Sequence, residues 1–315
     1  MFSIFLIILF ILVLFRWFTG KRSDNVSCLI GKTAIVTGGN EGIGFAIVLL
    51  LASRGCKVII ADKASAETSV EKAKKLTKNN EIYSRHLDLS SFASIRSFAE
   101  DIKMSETKID ILINNAGVNA IKRFITEDGL GSTMQINYFG AFLLTHLLLD
   151  TLKAAEQARI IFAGSIFAFF NNLSVDNLEG TDMSSQFVFK AYCNSKYCNI
   201  FAAQEFGERL KNTNITVYAA DPGVIKTRIF EYKTKYTIQR FLKTLLLWIF
   251  GSEPMVGAQT AFHLAASEEM KGKTGEIYVL CKPWTKLWNM RDPEFSKQIW
   301  EKSEILVKLK PNERI

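Results

Sequence analysis

Tyr192 and Lys196 stand four residues apart in Tyr192-Cys193-Asn194-Ser195-Lys196. On a helix that spacing sets both side chains on one face. A phenol is a poor base near neutral pH, and an adjacent ammonium favours the phenolate. Such a tyrosine can pass a proton to or from a substrate oxygen while hydride moves to or from the adjoining carbon. Ser165 follows an apolar, strand-like run and is placed to hydrogen-bond the same oxygen. Asn137, inside a long helical stretch, is placed to hold a water that links Lys196 to solvent. A Tyr–Lys pair on a helix is by itself usually a surface pair. The pattern gains force because all four residues occur in order on a chain that also carries a phosphate-binding loop.

That loop is Thr37-Gly38-Gly39-Asn40-Glu41-Gly42-Ile43-Gly44. It follows the β-rich run Lys32–Thr37 and precedes a helical stretch from Gly42 to Arg54. Glycines there let the backbone approach a pyrophosphate, and the helix start offers free N–H groups. Asp62 ends the next strand-like run, about 20 residues further on, where a carboxylate holds ribose hydroxyls and repels a 2′-phosphate. Lys63 follows it and would act in the opposite sense. NAD is favoured over NADP on this reading. Asn114-Asn115-Ala116-Gly117 closes a fourth strand-like run with small residues suited to packing against an adenosine.

The elements that must position these residues alternate along the chain. Apolar, strand-like runs at 32–37, 57–61, 83–87, 109–113, 159–163, 215–220 and 276–280 are separated by helical patterns at 42–54, 64–78, 91–103, 129–154 and 190–211. That alternation predicts a single α/β domain, a doubly wound parallel sheet of Rossmann type. Its ligand crevice lies at the carboxyl ends of the strands. The catalytic domain is expected over 31–282, with an irregular insert at 227–255 and a tail at 283–315. Within the insert, Phe241–Phe250 is very apolar and reads as a packed helix, a lid over a greasy substrate or a membrane contact.

Met1–Phe15 is an uncharged apolar run interrupted only by Ser3, followed by Arg16, Trp17, Lys21 and Arg22. It predicts an N-terminal membrane anchor over 1–20, with the positive cluster placing the body on the cytosolic side. The endoplasmic reticulum or a lipid droplet is the expected location, and the membrane an expected partner. Three sequons, at Asn25, Asn172 and Asn214, would suit a lumenal body and are read as chance.

The 315 residues are ample for one large core, and 48% hydrophobic content excludes disorder. The net charge of +8 is carried by scattered Lys and Arg residues, with no basic block interleaved with aromatics, so no nucleic-acid partner is expected. Five cysteines lack CxxC spacing and the three histidines are far apart, which argues against a metal site and for free thiols.

Thr37-Gly-Gly-Asn-Glu-Gly-Ile-Gly44, Asn114-Asn-Ala-Gly117, Asn137, Ser165, Tyr192 with Lys196, and Pro222-Gly223 with Thr227 together resemble the short-chain dehydrogenase/reductase family over 31–282. The resemblance implies a tetrad of Asn137, Ser165, Tyr192 and Lys196. It also implies that Asp88 contacts the adenine and that Lys196 holds the nicotinamide ribose. The segment after Pro222 and Gly223 would hold the carboxamide through Thr227. Asn137–His146 and Asp221–Thr227 resemble the membrane-anchored retinol-dehydrogenase-like group, and the N-terminal apolar segment, the Val-Ile-Ile-Ala run at 58–61 and the tail after the last strand are nearest to its polyprenol dehydrogenase branch. Gly164 departs from the serine common before the catalytic serine, and Asp62 departs from the chemistry of NADP-preferring retinoid enzymes. The implied activity is oxidoreduction of a lipid alcohol or carbonyl, first a polyprenol or dolichal, then a retinoid or hydroxysteroid, with homodimerisation open. A catalytically silent dinucleotide scaffold or sensor is the reading from another class, and the intact tetrad stands against it.

Overall fold

The computed structural model describes residues 23, 27–119, 123–184, 188–226, 251–284 and 292–315. Strands β1 (Thr33–Thr37), β2 (Lys57–Asp62), β3 (Ile82–His86), β4 (Ile111–Asn114), β5 (Ala158–Ala163), β6 (Ile215–Asp221) and β7 (Glu276–Val279) pair in parallel. A two-residue strand, β8 (Lys282–Pro283), turns back antiparallel on β7. The order β3-β2-β1-β4-β5-β6-β7-β8 reverses direction between β1 and β4. A doubly wound sheet opens its crevice at such a switch point.

The strands are apolar on both faces because both are covered. Ile35, Ile59 and Leu112 face one core, whereas Ala34, Val36, Val58 and Ile60 face the other. The first core is closed by α3 (Phe92–Ser105), α4 (132–147), α5 (Leu149–Lys153), α6 (Val188–Arg209) and α8 (Pro293–Leu306). The second is closed by α1 (Gly42–Ala52), α2 (Glu67–Thr77) and α7 (Pro254–Ala266). Helix α1 is apolar all round, since it is sandwiched between the sheet and α7.

The long helix expected over 129–154 is not uniform. Helix α4 is built from Ser132–Met134, a π-helical turn at Gln135–Phe139 and Gly140–Leu147, and α5 follows as a separate element. Asn137 explains the turn. Its Oδ1 accepts from Val118 N at 2.7 Å, and its Nδ2 donates to Val118 O at 2.9 Å. Holding the side chain against the end of the β4 loop takes up the extra residue of a π-bulge.

The C-terminal residues are structural. Asp292 caps α8 by accepting from Glu294 N and Phe295 N, with Pro293 in the first turn. Trp300 is buried among Phe142, Phe206 and His146. Arg96 grips Glu313 through two hydrogen bonds of 2.6 and 3.0 Å.

The expected membrane anchor is corrected here. Among the described residues no helix is long and apolar enough to cross a membrane. A span needs about 20 apolar residues, and the run from Met1 to Phe15 falls short of that. Residues 1–20 and Phe241–Phe250 lie outside the described residues. The described residues form a Rossmann domain and contain no membrane-spanning helix. A membrane partner, an endoplasmic reticulum or lipid-droplet location and a cytosol-facing body do not follow from it.

Buried His146 carries a pH consequence. Its Nδ1 meets the Glu313 carbonyl at 3.0 Å and must therefore donate, while Nε2 is buried with no partner among the described residues. Burial pulls the imidazole down to about 4, and nearby Arg209 acts in the same direction. The unfolded chain thus binds more protons between about 6.5 and about 4. Stability should fall as pH drops through that window, by on the order of 3 kcal/mol from this group. Urea unfolding of His146→Gln against the unmodified protein checks it: the variant should lose less stability between pH 7 and pH 4.5.

Candidate active site

The glycine loop between β1 and α1 is shaped by contacts that only glycine permits. Gly38 and Gly42 have φ of 64° and 59°. A Cβ on Gly38 would lie 2.9 Å from Ala116 Cα, and one on Gly44 would lie 2.0 Å from Gly38 O. The Glu41 side chain does not cap α1. The first-turn N–H groups of α1 therefore point outward at the helix's positive end. A cavity of about 780 Å³ opens from this cradle. Of the residues expected to hold a cofactor, Gly38, Gly42, Ile43, Gly44, Asp62, Lys63, Asp88, Asn115, Ala116 and Gly117 line it. A cradle that a Cβ would fill, with a carboxylate beyond it, fits a dinucleotide.

At the far end, the Asp62 carboxylate accepts from Ala64 N at 3.1 Å and Asn40 N at 3.3 Å. Lys63 pairs with Asp88 at 2.7 Å. Burial alone would raise the Asp88 carboxyl, but hydrogen bonds from Lys63 and Ser90 outweigh it and hold it below its ordinary value. Thr37 and Asn40 are placed differently. The Thr37 hydroxyl accepts from Ala116 N at 3.0 Å and so fastens β1 to the loop after β4. The Asn40 side chain is engaged with Ser65 and Ser69 at the start of α2. Both shape the cradle from behind.

The opposite end of the crevice meets α6. Lys196 Nζ donates to Ala163 O, the last residue of β5, at 3.0 Å. It lies 5.7 Å from the centroid of the Tyr192 ring. A Cβ on Gly117 would lie 3.4 Å from the same nitrogen, so Gly117 joins the ammonium to the cavity wall. Lys196 is only 4% exposed. Burial pulls its ammonium down to about 8, opposed by the negative charge of Asp221. Asn137 is tied into the same cluster by donating to Ser195 Oγ at 2.9 Å. Ser165 stands at the end of β5, where its hydroxyl accepts from Phe167 N at 3.3 Å. Lys196, Tyr192 and Asn137 thus meet beside Gly117 at the wall of the crevice, and Ser165 stands just past β5; none of the four is among the residues that line the cavity itself.

Beyond Tyr192 the surface is apolar. Phe167 packs edge-on to Tyr192 and Phe189, and Phe170 approaches Phe189. Ile166, Phe170 and Phe189 are exposed. Pro222 and Gly223 follow β6, with Gly223 at φ 78° donating to Asp221 Oδ1 at 2.7 Å. Thr227 lies outside the described residues. Ser195, Asn199 and Asp221 also belong to this neighbourhood, and the sequence reading gave them no role. Asn199 donates to Ala163 O at 3.0 Å. Its position one turn after Lys196, on the face that carries Tyr192, was the available signal.

The family model described as short chain dehydrogenase matches residues 32–237. The chain belongs to that family. It is 36% identical to human retinol dehydrogenase 13 over 92% of this chain and 89% of the relative. It is 32% identical to human retinol dehydrogenase 14 over 92% and 90%. An uncharacterised protein from Mycobacterium paratuberculosis shares the fold at a TM-score of 0.72 and 24% identity, over 92% of this chain and 98% of that one. The Pseudomonas aeruginosa RhlG/NADP active-site complex is similar at a TM-score of 0.63 and 25% identity, over 80% and 95%.

This short-chain dehydrogenase is therefore a nicotinamide-dependent oxidoreductase of the alcohol–carbonyl type. The expected kinship to a membrane-anchored polyprenol dehydrogenase is corrected: these relatives are retinol dehydrogenases, and the described residues hold no membrane-spanning helix. Gly44→Ala should collapse the cradle, because its Cβ would meet the backbone carbonyl of Gly38. Calorimetry should then find dinucleotide affinity reduced at least tenfold, and thermal unfolding should show a loss of about 1–3 kcal/mol.

Proposed function

We propose that this chain interconverts a retinol-type apolar alcohol and its aldehyde, with Tyr192 moving the proton and NAD as the preferred cofactor. The observation that carries the reading is the Lys196 ammonium, 5.7 Å from the Tyr192 ring and against the Gly117 edge of the dinucleotide-shaped cavity. When bound, the nicotinamide supplies or accepts the hydride. The rest of the work falls to the chain. Lys196 favours the phenolate of Tyr192, which takes the substrate's hydroxyl proton in the oxidative direction. In the reductive direction the protonated phenol returns it to the carbonyl oxygen. The Ser165 hydroxyl donates a hydrogen bond to the same oxygen and fixes its position. Asn137 joins the loop after β4 to Ser195 on α6, which holds both sides of the site in register.

The aromatic surface of Phe167, Phe170 and Phe189 beside Tyr192 supports a conjugated, apolar substrate over a sugar or a small polar acid. Two relatives named as retinol dehydrogenases, each matched over most of its length, support the retinoid over a polyprenol or a hydroxysteroid. Asp62 supports NAD, because its carboxylate at the end of β2 would lie near a 2′-phosphate and repel it.

Turnover of retinol, a polyprenol and a hydroxysteroid with NAD and NADP separately tests the proposal. Retinol should be turned over, and Tyr192→Phe should reduce that turnover by about 10²–10⁴-fold while leaving cofactor affinity unchanged. Cofactor binding without Tyr192-dependent turnover of any of the three would favour a silent dinucleotide sensor. Asp62→Ala should raise NADP affinity relative to NAD by about tenfold or more. A preference for NADP in the unmodified protein would overturn the reading of Asp62.

A further inference from the structure

Asp221, the last residue of β6, is 3% exposed and carries one carboxylate oxygen with no hydrogen-bond partner among the described residues. The other oxygen accepts from Gly223 N at 2.7 Å, which fixes the carboxylate at the carboxyl end of the strand. The Ile166 N–H also acts on this carboxylate, yet a carboxylate buried this far needs a favourable charge nearby as well. The sheet register supplies one. Ala220 is the β6 partner of Ala163, and Ala163 O is the acceptor of Lys196 Nζ. Asp221 therefore follows directly on the strand position beside the buried ammonium.

We propose that Asp221 is a positioning residue whose buried carboxylate keeps Lys196 cationic, and through Lys196 keeps Tyr192 competent for proton transfer. The groups that meet or flank Lys196 from the other elements are uncharged. Helix α6 brings Tyr192 and the neutral Asn199, β5 brings the Ala163 carbonyl, the loop after β4 brings Gly117, and the π-helical turn brings neutral Asn137. From β6 comes Asp221. Burial pushes the Asp221 carboxyl up from its ordinary value, while the Gly223 and Ile166 N–H groups and, after them, the Lys196 charge pull it down. Burial pulls Lys196 down to about 8, and Asp221 opposes it. Each charge offsets part of the desolvation of the other. Without the carboxylate the ammonium would face burial alone, and it would lose its proton at lower pH.

The inference rests on the proposed proton transfer at Tyr192, so its test needs one measurement that requires no substrate. That measurement is the titration of Lys196 by lysine Cε NMR, with the resonance assigned by its loss in Lys196→Met. In Asp221→Asn the midpoint should move down by about one pH unit, the size of one removed favourable charge. In the direction of carbonyl reduction, kcat at pH 8 should then fall about fivefold and recover toward the unmodified value by pH 6. At pH 6, where Lys196 is cationic in both proteins, KM and cofactor affinity should stay unchanged. Asp221→Ser, which keeps an acceptor for Gly223 N, should behave the same way if Asp221→Asn does not fold. An unmoved Lys196 midpoint, or a kcat lowered by the same factor at every pH, would overturn the proposal and leave Asp221 a structural residue. A moved midpoint in a protein that turns over none of the substrates would sink the proposed function and still support Asp221 as the counter-charge of Lys196.

Discussion

Holding the Lys196 ammonium out of water requires acceptors that the surrounding backbone must supply at fixed distances. The first is the Ala163 carbonyl, free to accept at this point because β5 ends there. A parallel sheet releases its last carbonyls at the carboxyl ends of its strands, so a buried cation finds its place at that edge of the sheet. Helix α6 packs along β5 and β6 and brings Lys196 to the edge with Tyr192 one turn before it. The dinucleotide cradle opens at the same edge, since Gly38 follows β1 and Gly117 follows β4. The ammonium, the phenol and the cavity meet there because one edge of one sheet provides all three.

The two ends of the crevice differ in their exposure to water. At the Asp62 end, Lys63 is mostly exposed and its pairing with Asp88 is screened by solvent, so it adds little to stability. At the reacting end Tyr192, Lys196 and Asn137 are buried, and an electrostatic interaction there is stronger because water is excluded. Selection of a cofactor can tolerate a wet surface. Tuning a phenol cannot, because bulk water would screen the ammonium that acts on it.

Several elements act at a distance from the chemistry by setting geometry. The π-helical turn at Gln135–Phe139 turns Asn137 toward Val118, which a regular helix would not do at that position. The C-terminal segment closes the first core over α4 and α6 through Trp300 and the Arg96–Glu313 pair. A core sealed in this way holds α6 against the sheet, and Tyr192 and Lys196 are carried on that helix. Tyr138, next to Asn137, reaches the same segment through Ser303 Oγ at 2.8 Å.

Short apolar runs alternating with helical patterns were enough to read the parallel sheet, because strands covered on both faces must be apolar throughout. The glycine loop, Asp62 and the Tyr192–Lys196 spacing were legible for a similar reason: each depends on neighbours within a few residues or one turn. The membrane anchor expected from the apolar run and the positive cluster after it has no support among the described residues, where no helix is long and apolar enough to cross a membrane. Features that join distant parts of the chain stayed hidden. The π-helical turn depends on Val118, 19 residues before Asn137, and the proximity of Asp221 to Lys196 arises only when β5 and β6 pair. Thr37 and Asn40 were read as part of the loop, yet only the folded backbone decided that their side chains brace it from behind. By itself the sequence determined the parallel α/β domain, the glycine loop and the four-residue spacing of Tyr192 and Lys196 on one helix, because local pattern encodes them. The tertiary structure alone decided how the charge on Lys196 is held, because that rests on strand register and burial, which no short stretch of sequence contains.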